Sequence, residues 1–196
     1  MTYTLKREEL GNGLLASVLE ALAKAYKEIG AEVYVVGAAA RDLSLKLLGA
    51  GSAPRRTMDL DVAVLLEKWD EYERLTEILI KDGFVKAPEK QRFYYCGIEN
   101  VRYEVDIVPF GDIAQEEMVA WPPEGNPVMS VRCFADVMKN ADEVSVEDRF
   151  DFRMASLSGQ WLIKLDAWCD RRLMTRKDAA DMQFILENAY ITLALS

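Results

Sequence analysis

Apolar residues recur along this chain at two spacings, and glycine or proline marks the points where one gives way to the other. Residues 13–29 (GLLASVLEALAKAYKEI) are apolar at every third or fourth position, the period of a helix with one buried face, and Gly30 is placed to end it. Residues 32–36 form a short β-branched run that predicts a strand, and 38–48 is a run of strong helix formers. A strand is predicted over 59–65, then an amphipathic helix over 68–82 that Gly83 stops. Residues 92–96 and 101–108 read as a strand pair joined through Gly97–Asn100. Proline and glycine make 121–127 a loop, and further strands are predicted over 128–134 and 143–147. From Ser158 onward the spacing is helical, in two helices broken near Met174 and Thr175. The pattern predicts an α/β (α+β) chain. An α/β unit spans 1–134, and extra strands with a small helical cap span 135–196, with a soft boundary in the 110–156 region.

The polar positions that break this pattern carry the candidate chemistry. Asp59 and Asp61 interrupt the apolar run TMDLDVAVLL at 57–66. In a strand, residues two apart project from the same side. Two unpaired carboxylates so close repel and are costly to bury. Hard cations bridging their oxygens remove both costs, and magnesium suits carboxylates combined with substrate phosphates. Asp106, in YEVDIVP at 103–109, would add a third carboxylate from a neighbouring strand and complete a two-metal site for phosphoryl or nucleotidyl transfer. Plainer readings stand beside this one: an Asp-x-Asp pair facing solvent or capping a turn, and a lone charge on an edge strand. Upstream, VYVV–Gly37–AAARDLSLKLL is a strand–glycine–helix junction. Such a junction lets backbone approach a phosphate and offers the free N–H groups of a helix start, although a simple tight turn would need the same glycine. The turn-rich stretch 49–54 leads on to the aspartate strand, so phosphate cradle and carboxylates fall on successive elements.

Composition narrows the mechanism. Among the 196 residues there is no histidine, which excludes Ser-His-Asp and Cys-His catalysis and the imidazole zinc motifs. General-base work then falls to a carboxylate, lysine or tyrosine. The net charge of −9 argues against broad nonspecific nucleic-acid binding, while leaving a local basic track open at Arg55, Arg56, Arg171, Arg172, Arg176 and Lys177. Cys96, Cys133 and Cys169 are odd in number and far apart, so they imply neither a disulfide frame nor a thiolate metal site. No targeting segment or membrane-length apolar run is present, and a cytoplasmic location without a membrane partner is expected.

Gly37, the Asp59/Asp61 pair and Asp106 together resemble the signature of polymerase-β-like nucleotidyltransferases. In detail, GAAARD at 37–42 and RTMDLD at 56–61 most resemble the bacterial AbiEii-type group, which includes toxins of type IV toxin–antitoxin pairs. The resemblance continues through DIVPFG at 106–111, WLIKLDAWCDR at 161–171 and RKDAAD at 176–181, and covers residues 30 to 188. The stretch from Gly37 to Asp42 is also similar to a run in CCA-adding enzymes, although this chain looks too short for one. Ala38 departs from the pattern, which has Ser or Gly there. A serine hydroxyl could bond a triphosphate oxygen; alanine leaves only its backbone N–H. The chain also stops soon after Tyr190, where many relatives carry a further helical region.

The resemblance implies a mixed sheet flanked by helices and an enzyme that moves a nucleoside monophosphate from a nucleoside triphosphate to a hydroxyl, with two magnesium ions. Asp59 and Asp61 would hold both ions, and Asp106 would hold the catalytic one and help deprotonate the acceptor. Gly37, Ala38 and Arg41 would lie against the nucleotide. Lys164, which by spacing alone could simply lay its stem along apolar surface, would neutralise the triphosphate. Asp178 or Asp181 would support the site through lysine or arginine pairing, and Arg41 and Asp42 could equally pair with each other. The implied acceptor is a tRNA 3′ end or another RNA, and the implied partner an antitoxin. A small hydroxylated acceptor, as in antibiotic adenylyltransferases, is the second enzymatic reading. Ala38 and the short C-terminus motivate a third, a silent module that binds a protein partner.

Overall fold

The computed structural model describes residues 1–10, 13–49, 59–96 and 102–195, with side chains through 189. In chain order the elements are β1 (Thr2–Leu5), a 3-10 turn (Arg7–Leu10), α1 (Gly13–Glu28), β2 (Tyr34–Val36), α2 (Gly37–Leu47), β3 (Asp59–Leu65), α3 (Trp69–Lys81), β4 (Phe84–Lys86), β5 (Arg92–Cys96) and β6 (Arg102–Phe110). There follow β7 (Met118–Ala120), β8 (Val128–Ser130), α4 (Phe134–Lys139), β9 (Asp142–Val146), β10 (Phe150–Met154), α5 (Leu157–Arg171) and α6 (Lys177–Leu195). Eight strands form one mixed sheet in the order β1-β9-β10-β2-β3-β6-β5-β4, and β7 and β8 pair separately. Strands from both sides of the expected boundary at 134/135 therefore share one sheet.

The local chemistry explains the main elements. α1 ends as its glycine predicts. Gly30 adopts a left-handed φ of +75°, its N–H donates to Lys27 O at 3.1 Å, and the Ala31 N–H donates to Tyr26 O at 2.9 Å, a Schellman closure. α5 starts on Ser156, whose Oγ accepts from the Gly159 N–H at 3.3 Å. Gly159 also lets α5 lie against α4, because a Cβ there would meet Val137 Cγ1 at 2.6 Å.

Alternation along the central strands divides the core in two. Leu60, Val62 and Val64 of β3, with Val105 and Ile107 of β6, face a first core shared with α1 and α3. Ala63 of β3, Phe110 of β6 and Tyr34 and Val36 of β2 face a second core with β7, α4 and Trp121. The apolar cover on that second face stops at Ala63. Asp61 and Asp59, on the same side of β3, continue beyond it as a polar floor.

Some expectations need correcting. The predicted strand 128–134 is a strand only at Val128–Ser130. Cys133 takes a left-handed φ of +69° and α4 starts at Phe134, because Phe134, Val137 and Met138 bury one helical face rather than alternating. β10 was not predicted, although Phe150, Phe152 and Met154 are buried and alternate with half-exposed or exposed Asp151 and Arg153. Residues 50–54, Arg55, Arg56 and the connection at 97–100 lie outside the described residues. Phe152, inserted between α1 and the sheet, tests this core: Phe152→Ala should cost about 3–5 kcal/mol in equilibrium denaturation, with the m-value unchanged.

Candidate active site

β2 runs into α2 without a loop. Val36 is extended and Gly37, with a φ of +67°, is the first helical residue. No side chain caps this helix start. Gly37 is required on two counts: its φ disfavours any side chain, and a Cβ there would lie 2.2 Å from Asp61 Oδ2. The carboxylate of the strand and the open start of the helix are thus in direct apposition, with Ala38 and Arg41 on the first turns beyond.

Strand register carries the site across the sheet. Val36 pairs with Asp61, Asp61 with Asp106, and Asp106 with Arg92, so one row crosses β2, β3, β6 and β5. The next row sets Asp59 opposite Glu104 and Glu104 opposite Tyr94. Asp59 is exposed, while Asp61 and Asp106 are half-buried. Arg92 grips Asp106 with two bonds, Nε to Oδ1 at 2.8 Å and Nη2 to Oδ2 at 2.9 Å, and reaches Glu104 Oε1 with Nη1 at 2.7 Å. Asp61 has no such partner: among the described residues nothing hydrogen-bonds to it. Burial first, then repulsion from Asp106 and Asp59, push its pKa up to about 6, against a smaller opposing pull from Lys164 and Lys177.

The C-terminal helices close over the Gly37–Asp61 end of this row, and Asp59 and Asp106 do not line the cleft between them. A cleft of about 410 Å³ is lined by Gly37, Ala38, Arg41 and Asp61 below and by Lys164 and Asp181 above, among others. Lys164 Nζ sits 2.8 Å from Asp181 Oδ2 and 3.4 Å from Asp178 Oδ1. Asp178, with no exposed side-chain surface, is held by Arg171 at 2.6 and 2.8 Å, and that guanidinium pulls its pKa below the usual carboxylate range. Arg41 bonds both Asp42 at 2.8 Å and Asp181 at 3.1 Å, and lies 5.0 Å over the Phe184 ring. Asp178 and Asp181 therefore both support Lys164, by different arginines, and the Arg41–Asp42 pair exists alongside the Arg41–Asp181 one. A wider groove of about 1040 Å³, along α1, β9 and β10, contains none of these residues.

Sequence reasoning missed Arg92 and Glu104. The expected connection at 97–100 would set Cys96 opposite Val101 and Arg92 opposite Val105, whereas the structure pairs Cys96 with Arg102 and so Arg92 with Asp106.

No cluster of three His, Cys, Asp or Glu among the described residues converges as a ready-made metal cage. The donor set still suits a hard divalent cation. Magnesium is usually held by one or two carboxylates plus substrate phosphates, and Asp61 is a poorly compensated carboxylate in line with another. Arg92 uses one lone pair on each Asp106 oxygen and leaves the others available.

No family model and no curated protein matches the chain. Solved structures do. An antigenic nucleotidyltransferase-like protein from Paracoccidioides brasiliensis superposes with a TM-score of 0.57 at 16% identity, over 95% of this chain and 78% of that one. The chain has a nucleotidyltransferase fold. Two further nucleotidyltransferase structures match more loosely. Lincomycin-bound lincosamide antibiotic adenylyltransferase LnuA gives a TM-score of 0.46 at 14% identity, covering 92% of this chain and 96% of that one. The Thermotoga maritima CCA-adding enzyme complexed with tRNA gives 0.33 at 24%, covering 52% and 23%.

Two outcomes test this nucleotidyltransferase-fold site. With divalent ions chelated, Asp61→Asn should stabilise the protein at pH 8 by roughly 1–2 kcal/mol, the value of a shift of this size discounted for solvent access. Because the folded pKa is the raised one, the Asp61 penalty exists above about pH 6 and fades as the pH falls through it, so the gain should disappear in melts near pH 4. Gly37→Ala should lower the melting temperature, because the left-handed φ disfavours a side chain and the new Cβ displaces the Asp61 carboxylate.

Proposed function

We propose that the protein is a metal-dependent nucleotidyltransferase that moves a nucleoside monophosphate from a nucleoside triphosphate to a hydroxyl acceptor, and that the acceptor is RNA. The observation that supports the reading is the single row of the open start of α2, Asp61 and Asp106, with Lys164 facing Asp61 and Gly37 across the cleft. Asp59, Asp61 and Asp106 would hold two magnesium ions, which when bound offset charge on the triphosphate and acidify the acceptor hydroxyl.

The chain's own groups do the rest. Backbone N–H groups at Gly37 and Ala38 receive phosphate oxygens, a role in which alanine serves as well as serine for the main chain. Lys164 turns its ammonium from Asp181 toward the triphosphate, while Asp178 and Arg171 keep its helix in place. Asp106 orients the acceptor hydroxyl and takes its proton on a carboxylate oxygen. The acceptor oxygen attacks the α-phosphorus in line and pyrophosphate leaves, so the rate gain comes from positioning and charge compensation.

The RNA reading is supported by the turn between α5 and α6. Arg172, Arg176 and Lys177 form no ion pair among the described residues, and no acid lies between 171 and 177, in a chain of net charge −9. Lys177 also pulls on Asp61, so this basic turn borders the carboxylate row. The resemblance to AbiEii-type toxins supports the same acceptor class, an antitoxin as protein partner and a bacterial cytoplasmic setting.

The test is incubation with magnesium, each α-labelled nucleoside triphosphate in turn and total bacterial RNA. Label on a discrete RNA is expected, and Asp59→Asn/Asp61→Asn should lose it. Metal-dependent nucleotide binding without RNA labelling would move the acceptor to a small molecule or protein. Absence of both would sink the enzyme reading in favour of a silent partner-binding module.

A further inference from the structure

Arg92 is the one guanidinium among the described residues that engages the carboxylate row itself, and its role is not contained in the reaction outlined above. It stands in register with Asp106, on the side of β6 away from β3. Three of its donors are committed in a planar fork: two to Asp106 and one to Glu104. Its own backbone is fixed on both sides. The Arg92 N–H donates to Glu89 O at 3.1 Å, Arg92 O accepts from Ala87 at 3.0 Å, and the neighbouring Gln91 O accepts from Ile107 at 2.8 Å. The fork therefore projects from a rigid base, and it sets both the position and the plane of the Asp106 carboxylate.

Glu104 explains why an arginine is needed. It lies on the same face as Asp59, Asp61 and Asp106, opposite Asp59. Left unpaired it would be a fourth carboxylate competing for cations at the same rows. The bond to Arg92 draws it toward β5 and away from that role. A lysine could neutralise one of these acids as a point charge but could not span both in one plane.

We propose that Arg92 is a positioning residue: it locks Asp106 beside Asp61 in its working attitude and holds Glu104 out of the metal shell. This rests on the nucleotidyltransferase reading of the site. The opposing possibility is that Arg92 is a stand-in cation whose grip on Asp106 merely competes with metal.

The two differ in sign. Wild type, Arg92→Ala and Arg92→Lys, each as the full chain with its melting temperature measured, would be compared in two assays. These are Mn²⁺ binding by electron paramagnetic resonance in the presence of nucleoside triphosphate, and steady-state nucleotidyl transfer. Positioning predicts that Arg92→Ala loses about 100-fold in kcat, the cost of a misplaced group of about 1 Å, with KM for the nucleotide little changed and Mn²⁺ bound no more tightly. Arg92→Lys should recover part of kcat but not all. Tighter Mn²⁺ binding with undiminished kcat in Arg92→Ala would overturn the proposal and mark Arg92 as a competitor. If Arg92→Ala fails to fold, Arg92→Lys decides alone, since wild-type kcat there removes the need for a fork. A wild-type chain that binds no Mn²⁺–nucleotide overturns the site reading, and Arg92's role with it, whereas binding and transfer that are equal in wild type and variants overturn the role of Arg92 alone.

Discussion

Burial of the Asp61 carboxylate, compounded by repulsion from Asp106 beside it on a parallel neighbouring strand, is the constraint around which the rest of the site is arranged. Charge compensation arrives from three directions. Arg92 neutralises the outer carboxylate from β5, Lys164 and Lys177 approach the inner one from the C-terminal helices, and α2 offers its uncapped start at Gly37. None of these fully satisfies Asp61, which stays without a hydrogen bond among the described residues and protonates far more readily than an ordinary aspartate. A row so arranged is short of positive charge, the deficit that the proposed divalent ion and its triphosphate would offset.

Much of this was legible in the chain because it depends on short-range rules. The period-2 pattern of DLDVAVL gives β3 with its bounds, and the two-residue spacing of Asp59 and Asp61 gives their common face. Gly37 was legible as a junction, but its second reason, the nearness of Asp61, was not, since it follows from the antiparallel register of β2 and β3. Arg92 escaped notice for the same cause. An arginine at a strand start reads as solvent-facing until the partner strand is known to bring Asp106 opposite it. The misread segment 128–134 shows the other limit. Val128 to Phe134 is apolar enough for a strand, but the burial of Phe134, Val137 and Met138 on α4 is decided by the second core, which no local window contains.

The cap repeats the logic of the sheet on helices. Lys164, Asp178 and Asp181 meet from α5 and α6, and Arg41 adds α2, so α2 and both C-terminal helices share one chain of ion pairs. Because Asp178 is enclosed and paired with Arg171, it is a fixed anchor, whereas the more accessible Asp181 is shared between Lys164 and Arg41. In the proposed reaction the lysine would exchange Asp181 for a phosphate while the Arg171–Asp178 pair keeps α5 and α6 together.

The sheet order has a consequence for how the molecule is made. β1, at the start of the chain, pairs in parallel with β9, through contacts such as Thr2 with Glu143, and β10 fills the edge of β2. The rows that hold Asp61, Asp106 and Arg92 belong to strands synthesised well before those partners emerge from the ribosome. During translation β2 would present an unpaired, largely apolar edge for as long as it takes to add residues up to Met154. Contacts this distant in sequence make folding slow relative to a helical chain of equal length. Closure of the sheet therefore waits on β9 and β10, and an edge left open until then is the kind of surface that chaperones cover and that aggregation exploits.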